Sequence, residues 1–385
     1  MPATPSTFGR RYRILRRWPT RRLATALASA LALVALPVTA TAEAPSAPGA
    51  VVATEPLPAS QGLPGAAAST KVTYWTADSR DRPRLSSGAI FVPEGTPPPG
   101  GWPTISWGHG SNGLGDQCAP TVVGRPAPES SYLADLLADG FAVVASDYIG
   151  LGTEGLPNYL DSGGEAHAMI DIVRAARGLY PAIGSVWLAQ GHSQGAHAAL
   201  NTAPRAERYA PELDYRGTVA TSAPPQIDAL VGLIGPQMPR IPAPASLFVM
   251  AIAGFRDLRP DLDVDSHLTD LGRRTVALAE TLCSPQLDEQ TANLSIGELV
   301  AQPLGELTAP FQDYLRLPVA GYHGPLFLGH GTRDEILPYP LVFTLLTGLL
   351  LHGVAVDFHS YDAGHDSIIP IAAADVRAFL AAAVD

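Results

Sequence analysis

Lysine is almost absent from the 385 residues: Lys71 is the only one. Cysteine is nearly as scarce, with Cys118 and Cys283 alone. There is no CxxC pair and no Cys/His cluster, so nothing suggests zinc, and no metal or other cofactor is expected. Charged residues make up only 16% against 46% hydrophobic, a balance that excludes global disorder. Positive charge is concentrated at the start. Arg10, Arg11, Arg13, Arg16, Arg17, Arg21 and Arg22 fall in a stretch that contains no Asp or Glu. Without those seven, 25 − 7 = 18 basic residues face 36 acidic ones, a balance of −18. So acidic a body has no footprint for gripping phosphate backbones, which argues against nucleic acid as a partner. After the first 42 residues, the longest apolar run lies around Leu341–Leu351, far short of the ~20 residues that a membrane span needs.

What is present at the start reads as an address. The arginines are followed by the uncharged apolar run Leu23–Leu36, by Pro37, and by the small residues Ala40-Thr41-Ala42. That order predicts a secretory signal over residues 1–42, cleaved to give an exported, extracellular protein. Thr20-Arg21-Arg22-Leu23 hints at a twin-arginine signal. Export makes a disulfide between Cys118 and Cys283 the natural expectation, with two buried free thiols as the alternative. Residues 43–70, rich in Ala, Pro and Gly, are expected to be a mobile linker.

From Lys71 onward, strands and helices alternate. Lys71–Thr76, Ala89–Pro93, Pro103–Trp107, Phe141–Ser146, Ser185–Gln190 and Thr218–Ser222 read as strands. Amphipathic helices are expected around Tyr132–Leu137 and Ala166–Ala176, and a small-residue helix from Gln194. Residues 224–322 break the rhythm: they are Pro-rich and poor in strand signals, with the apolar stretch Ser246–Phe255. The alternation resumes with strands at Pro325–Gly329 and Val354–Tyr361 and helices at Pro340–Leu351 and Ile371–Ala383. This pattern predicts an α/β fold with a mostly parallel sheet covered by helices on both faces, built from 71–223 and 323–385. Residues 224–322 are then a cap inserted over the carboxyl edge of the sheet, where such sheets place their sites.

Gly191-His192-Ser193-Gln194-Gly195 follows a predicted strand and opens a predicted helix, the context of a nucleophile elbow. A serine hydroxyl needs a base and a carboxylate to be nucleophilic at neutral pH. In this topology they follow in the order acid then histidine, each just past a strand end. Asp334 and His365 occupy those places. Glu335 neighbours Asp334 but is offset from the strand end. His330, His352 and His359 lie near the same strands, and His192 and His197 flank the elbow; structural roles are expected for these. The oxyanion of a tetrahedral intermediate calls for two donors. The Gln194 amide is one, and Gly110 or Ser111, in the loop after the Pro103–Trp107 strand, is expected to supply the other. Asp147, at another strand end, is read as bonding to its own loop. Asp261, Asp263 and Asp265 alternate without completing a calcium loop and read as a solvated face.

With these residues the chain resembles the α/β-hydrolase superfamily and, within it, the secretory lipase family. The family likeness rests on Gly191–Gly195, on Asp147-Tyr148-Ile149-Gly150-Leu151-Gly152 and on Cys118-Ala119-Pro120. It departs at Ala196, where members often carry glycine. The resemblance implies a secreted lipase or carboxylesterase acting on acylglycerol-like esters, with a cap that binds the acyl chain. It further implies that Cys118 tethers its loop to the cap through Cys283. A lipid or other small ester is the expected partner, with transient contact at a lipid interface. The apolar stretch Leu230–Phe255 motivates a preference for long chains. The same triad also serves acyl transfer, polyester hydrolysis or amide hydrolysis.

Overall fold

Nine strands form a single sheet among the described residues of a computed structural model, 47–238 and 244–384. The expected secretory signal lies outside those residues. The strands are β1 (Val51–Pro56), β2 (Ala66–Ala77), β3 (Pro83–Pro93), β4 (Trp102–Gly108), β5 (Ala142–Ile149), β6 (Ile183–His192), β7 (Asp214–Thr221), β8 (Leu326–Gly331) and β9 (Val356–Tyr361). Their order across the sheet is β1-β2-β3-β5-β4-β6-β7-β8-β9. β1, β2 and β3 pair antiparallel, and β3 pairs antiparallel with β5. From β5 to β9 every pairing is parallel.

The central strands are apolar on both faces because helices cover both. Val144, Trp187 and Ala189 pack with Met169, Ile170 and Val173 of the helix Gly164–Leu179 and with Ala198 and Ala199 of the helix Gln194–Thr202. Val143, Ile105, Trp107 and Phe327 face the other way, onto Leu133 and Leu136 of the helix Ala127–Ala138 and Val376 and Leu380 of Ile368–Val384. Alternation along β5, with Val143 on one face and Val144 on the other, is the period-two signature of a strand. Truncating a wholly buried Trp107 or Trp187 would cost about 3–5 kcal/mol.

Two expectations need correction. Residues 51–70 are not a mobile linker, since they hold β1 and the first turns of β2. β1 is exposed along its whole length and is held by its pairing to β2, so no burial pattern marked it in the sequence. The apolar stretch ending at Phe255 is the second case. The helix Ala245–Leu258 is buried nearly all round, in a cluster with Leu287, Leu299, Phe311 and Tyr314. A helix apolar on every side belongs inside a body. Its apolarity is therefore interior packing and no longer argues for long acyl chains.

Between β7 and β8 the described chain forms helices and no named strand. This insertion has a core of its own, which it shares with Leu114, Tyr159 and Leu160 from the loops at the carboxyl ends of β4 and β5. Residues 44–385 form one compact unit. Among the described residues, no helix is long and apolar enough to cross a membrane.

Candidate active site

Ser193 stands between the end of β6 and the helix Gln194–Thr202, with φ +56° and ψ −117°. A non-glycine residue at positive φ is strained and persists only where its surroundings dictate it. Here the Ser193 amide donates to the Thr221 carbonyl at 3.0 Å, fixing the turn against β7. The flanking glycines are obligatory. A Cβ on Gly191 would lie 2.0 Å from the Gly195 carbonyl oxygen, and one on Gly195 only 1.8 Å from that of Gly108. Close contact between strand and helix thus forces the chain to reverse at Ser193.

His365 follows β9 and Asp334 follows β8, and the structure brings both to Ser193. His365 Nε2 lies 2.9 Å from Ser193 Oγ, and His365 Nδ1 lies 2.9 Å and 3.0 Å from the two Asp334 oxygens. Asp334 Oδ1 also accepts the Ile336 and Leu337 amides, at 3.0 Å and 2.7 Å. Burial, the largest single influence, would raise the Asp334 carboxyl. The bond to His365 and its charge, with the Leu337 amide and the Ser222 hydroxyl, outweigh it and hold the carboxyl at about 2. Asp334 is thereby an anion, and its contact assigns the Nδ1 proton of His365, leaving Nε2 as the acceptor toward Ser193. Glu335 accepts the His365 backbone amide at 3.1 Å and steadies the loop rather than the ring. His330 bonds the Leu337 carbonyl at 2.8 Å, a supporting contact under the acid loop.

Gly110, just past β4, lies beside Ser193, just past the neighbouring strand β6. A Cβ placed on Gly110 would sit 3.6 Å from His192 Cδ2 and 3.7 Å from Ser193 Cβ, ordinary contact distances beside the elbow. The loop carrying Gly110 and Ser111 is pinned on its far side by the insertion. Ser284 donates from its amide to the Asn112 carbonyl at 2.9 Å and from its hydroxyl to the Ser111 carbonyl at 3.1 Å. Gly113 bridges to Cys283, and Cys283 is disulfide-bonded to Cys118. From the core side, Tyr148 donates its hydroxyl to the His109 carbonyl at 3.0 Å, and Ser111 Oγ meets the Tyr159 hydroxyl at 2.6 Å.

Three participants were not singled out in the sequence. Glu165, in the first turn of its helix, is buried and accepts from Gln194 Nε2 at 2.6 Å and from the Leu160 amide at 2.8 Å. Its other oxygen lies 3.3 Å from His197 Nδ1. Glu165 therefore fixes the side chain whose backbone amide adjoins Ser193. A carboxylate in the first turn of a helix that carries apolar Ala166, Met169 and Ile170 was the available signal. Ser222, just past β7, reaches the His365 carbonyl at 3.4 Å; the strand-end rule that found Asp334 points to it as well. Ser284 carries no signal, because its role depends on how the insertion docks.

Asp147 does not bond to its own loop. It accepts from Ser87 of β3 at 2.7 Å and from Thr121 at 2.5 Å, tying the stretch after Cys118 to the sheet. Asp261 and Asp265 are not merely solvated: Asp261 pairs with Arg80 and Arg259, and Asp265 with Arg256. His192, His365 and Asp366 bring ligand-type atoms within 4.8 Å of one another. The contacts seen there are the 3.4 Å pair between His192 Nε2 and Asp366 and the bonds of His365 just described.

Comparison with known proteins bears on the fold and the family. Residues 127–283 match the family described as secretory lipase. Lipase A of Moesziomyces aphidis is 25% identical over 345 residues, spanning 82% of this chain and 71% of that protein. A protein of Mycobacterium tuberculosis named a probable inactive lipase is 25% identical over 327 residues, spanning 79% and 66%. The crystal structure of a rice cell wall degrading esterase from Xanthomonas oryzae superposes with a TM-score of 0.66 at 19% identity, over 86% of this chain and 99% of that one. The sheet order, the turn at Ser193 and these likenesses converge: the chain has the α/β-hydrolase fold, and its residues 127–283 match the secretory lipase family.

Proposed function

We propose that the protein is an exported hydrolase of carboxylic esters, a lipase or carboxylesterase, working through an acyl-enzyme. The observation that carries this reading is the unbroken series Ser193 Oγ, His365 Nε2 and Nδ1, Asp334, with each contact between 2.9 and 3.0 Å. Ser193 Oγ attacks the ester carbonyl carbon while His365 Nε2 takes its proton. The negative charge moves to the former carbonyl oxygen, which the amides of Gln194 and of Gly110 or Ser111 receive. As the intermediate collapses, the alcohol leaves with the proton from His365, and the acyl group stays on Ser193. Water then attacks that ester, giving its proton to His365, which returns it to Ser193 Oγ as the carboxylic acid departs. Asp334 holds the ring in the required tautomer and stabilises its cation throughout. The disulfide fits an oxidising, extracellular setting, and residues 224–322 serve as a cap beside the site. A relative named inactive makes the direct test necessary. Ser193→Ala is expected to lower turnover of p-nitrophenyl esters on the order of 10⁶-fold with an unchanged unfolding temperature. Retained turnover would remove Ser193 from the mechanism. A series of esters from acetate to palmitate on the wild type then fixes the acyl length.

A further inference from the structure

A hollow rich in arginine lies between the insertion and the flank of the core. A cavity of about 560 Å³ opens there, lined on the core side by Arg80, Arg205 and Arg208 and on the insertion side by Arg259 and Arg316. Only two carboxylates, Asp81 and Asp313, share the lining, which gives 5 − 2 = +3 on a chain whose net charge is −11. The pairing is uneven. Arg316 is bound by Asp313 at 2.7 Å, and Arg80 and Arg259 share Asp261 at 3.1 and 2.7 Å. Arg205 and Arg208 have no carboxylate partner among the described residues, and Arg205 spends one nitrogen on Asn201. Burial depresses the Arg205 pKa; the charge of Asp161, and less so that of Asp313, opposes this, and the charge of Arg208 adds to it. Half-buried Arg205 beside exposed Arg208 places two like charges together, an arrangement that an anion bound between them would relieve.

We propose that this cavity binds a phosphate group, carried either by a small organic phosphate or by a lipid headgroup. Two unneutralised guanidinium groups match a dianion rather than a carboxylate. A tetrahedral phosphate also presents oxygens to arginines that approach from different sides, where a planar carboxylate satisfies one fork. The volume exceeds that of phosphate alone. The lining also includes Ser79, Ser162 and His167, so the remaining room is mostly polar and suits a polar substituent. Because the arginines come from both the core and the insertion, the bound anion ties the two together.

The test uses the purified full chain. Sodium phosphate is expected to raise the unfolding temperature saturably, whereas sodium chloride at equal ionic strength does not. Arg205→Gln/Arg208→Gln is expected to lose the phosphate response while keeping the wild-type circular dichroism spectrum. It is also expected to keep wild-type ester turnover, since neither arginine touches Ser193 or its partners; the thermal readout stands even if no ester is cleaved. Arg208→Gln alone, at an exposed position, guards against a double variant that does not fold. It is expected to weaken phosphate about tenfold. Sedimentation with phosphatidylglycerol vesicles, competed by free phosphate and lost in the variants, identifies a headgroup. A thermal response without such sedimentation identifies a soluble phosphate. Equal shifts in phosphate and chloride, or a phosphate shift that survives in both variants, would overturn the proposal.

Discussion

The rim of the sheet and the helical insertion both hold parts of one site, but by different means. Ser193, Asp334 and His365 each stand one to four residues beyond a strand, and the parallel pairing of β6, β7, β8 and β9 sets their spacing. The loop of Gly110 and Ser111 has a strand on one side only. Its other side depends on Ser284, Cys283 and Tyr159, which belong to or pack with the insertion. In the proposed mechanism, proton transfer is thus a property of the sheet, while stabilisation of the oxyanion is shared with the insertion. A single hydrogen-bonded ladder tolerates little drift, so the triad should be insensitive to changes in the insertion. The oxyanion loop should not be.

The sharpest break in this comparison is at the acid. Asp334→Asn keeps the shape and removes the charge that sets the tautomer of His365, so turnover is expected to fall on the order of 10⁴-fold. Glu335→Gln removes only a carboxylate from the His365 amide and is expected to stay within about tenfold of wild type. Steady-state kinetics on both variants checks this pair. A larger loss at Glu335 would place the functional acid in the loop rather than at the strand end.

The insertion side is probed at the disulfide. Cys118→Ser/Cys283→Ser opens a link between residues 165 apart and is expected to cost about 2–4 kcal/mol of stability, read by denaturant unfolding. Strain at the rim alone would end the matter there. Since Cys283 also borders the segment that holds Ser111 and Asn112, kcat is expected to drop about tenfold with KM little changed. Labelling of Ser193 by a fluorophosphonate, which needs the nucleophile and base, should persist. Full kcat in the unlinked protein would show that Ser284 and Tyr159 hold the loop without it.

The same contrast explains what could be read from the sequence. β4 to β8 announced themselves because a strand buried on both faces is a nearly continuous apolar run, half-exposed β9 was read from its place in the alternation, and Ser193, Asp334 and His365 followed from strand ends. The glycines around Ser193 were legible because only glycine survives contacts of 2.0 Å and less. β1 was not legible: all six of its residues are exposed, and backbone pairing leaves no mark on side-chain pattern. Glu165, Ser284 and the Asp147–Thr121 bond were hidden for another reason. Each is a contact between segments far apart in the chain, and local periodicity carries no information about docking.

The seam between the two regions gives the smallest effect, and its sign can be worked out. His167 lies at the start of its helix, against the arginine-lined cavity, stacked on Tyr209 at 4.1 Å with Nδ1 donating to the Ala77 carbonyl. Burial lowers its pKa from 6.5 to about 4; the Ala77 bond opposes this and the charge of Arg205 reinforces it. Between those values the unfolded chain binds a proton that the folded chain does not, so His167 costs stability as pH falls from 6.5 toward 4 and no more below that. Buried Asp161 and Asp171, raised to about 6, act with the opposite sign and gain stability as pH falls from 6 toward 3.8. Absolute stability against pH therefore mixes both. The difference between wild type and His167→Gln cancels the carboxylates and isolates the histidine. That difference is expected to shift in favour of the variant on going from pH 7.5 to 4, measured by urea unfolding. Saturating phosphate is expected to shrink the shift, because an anion beside Arg205 lets His167 take its proton within the fold. A difference that stays flat with pH would mean that His167 takes up its proton as readily in the folded protein as in the unfolded chain, and that the seam is wetter than its burial indicates.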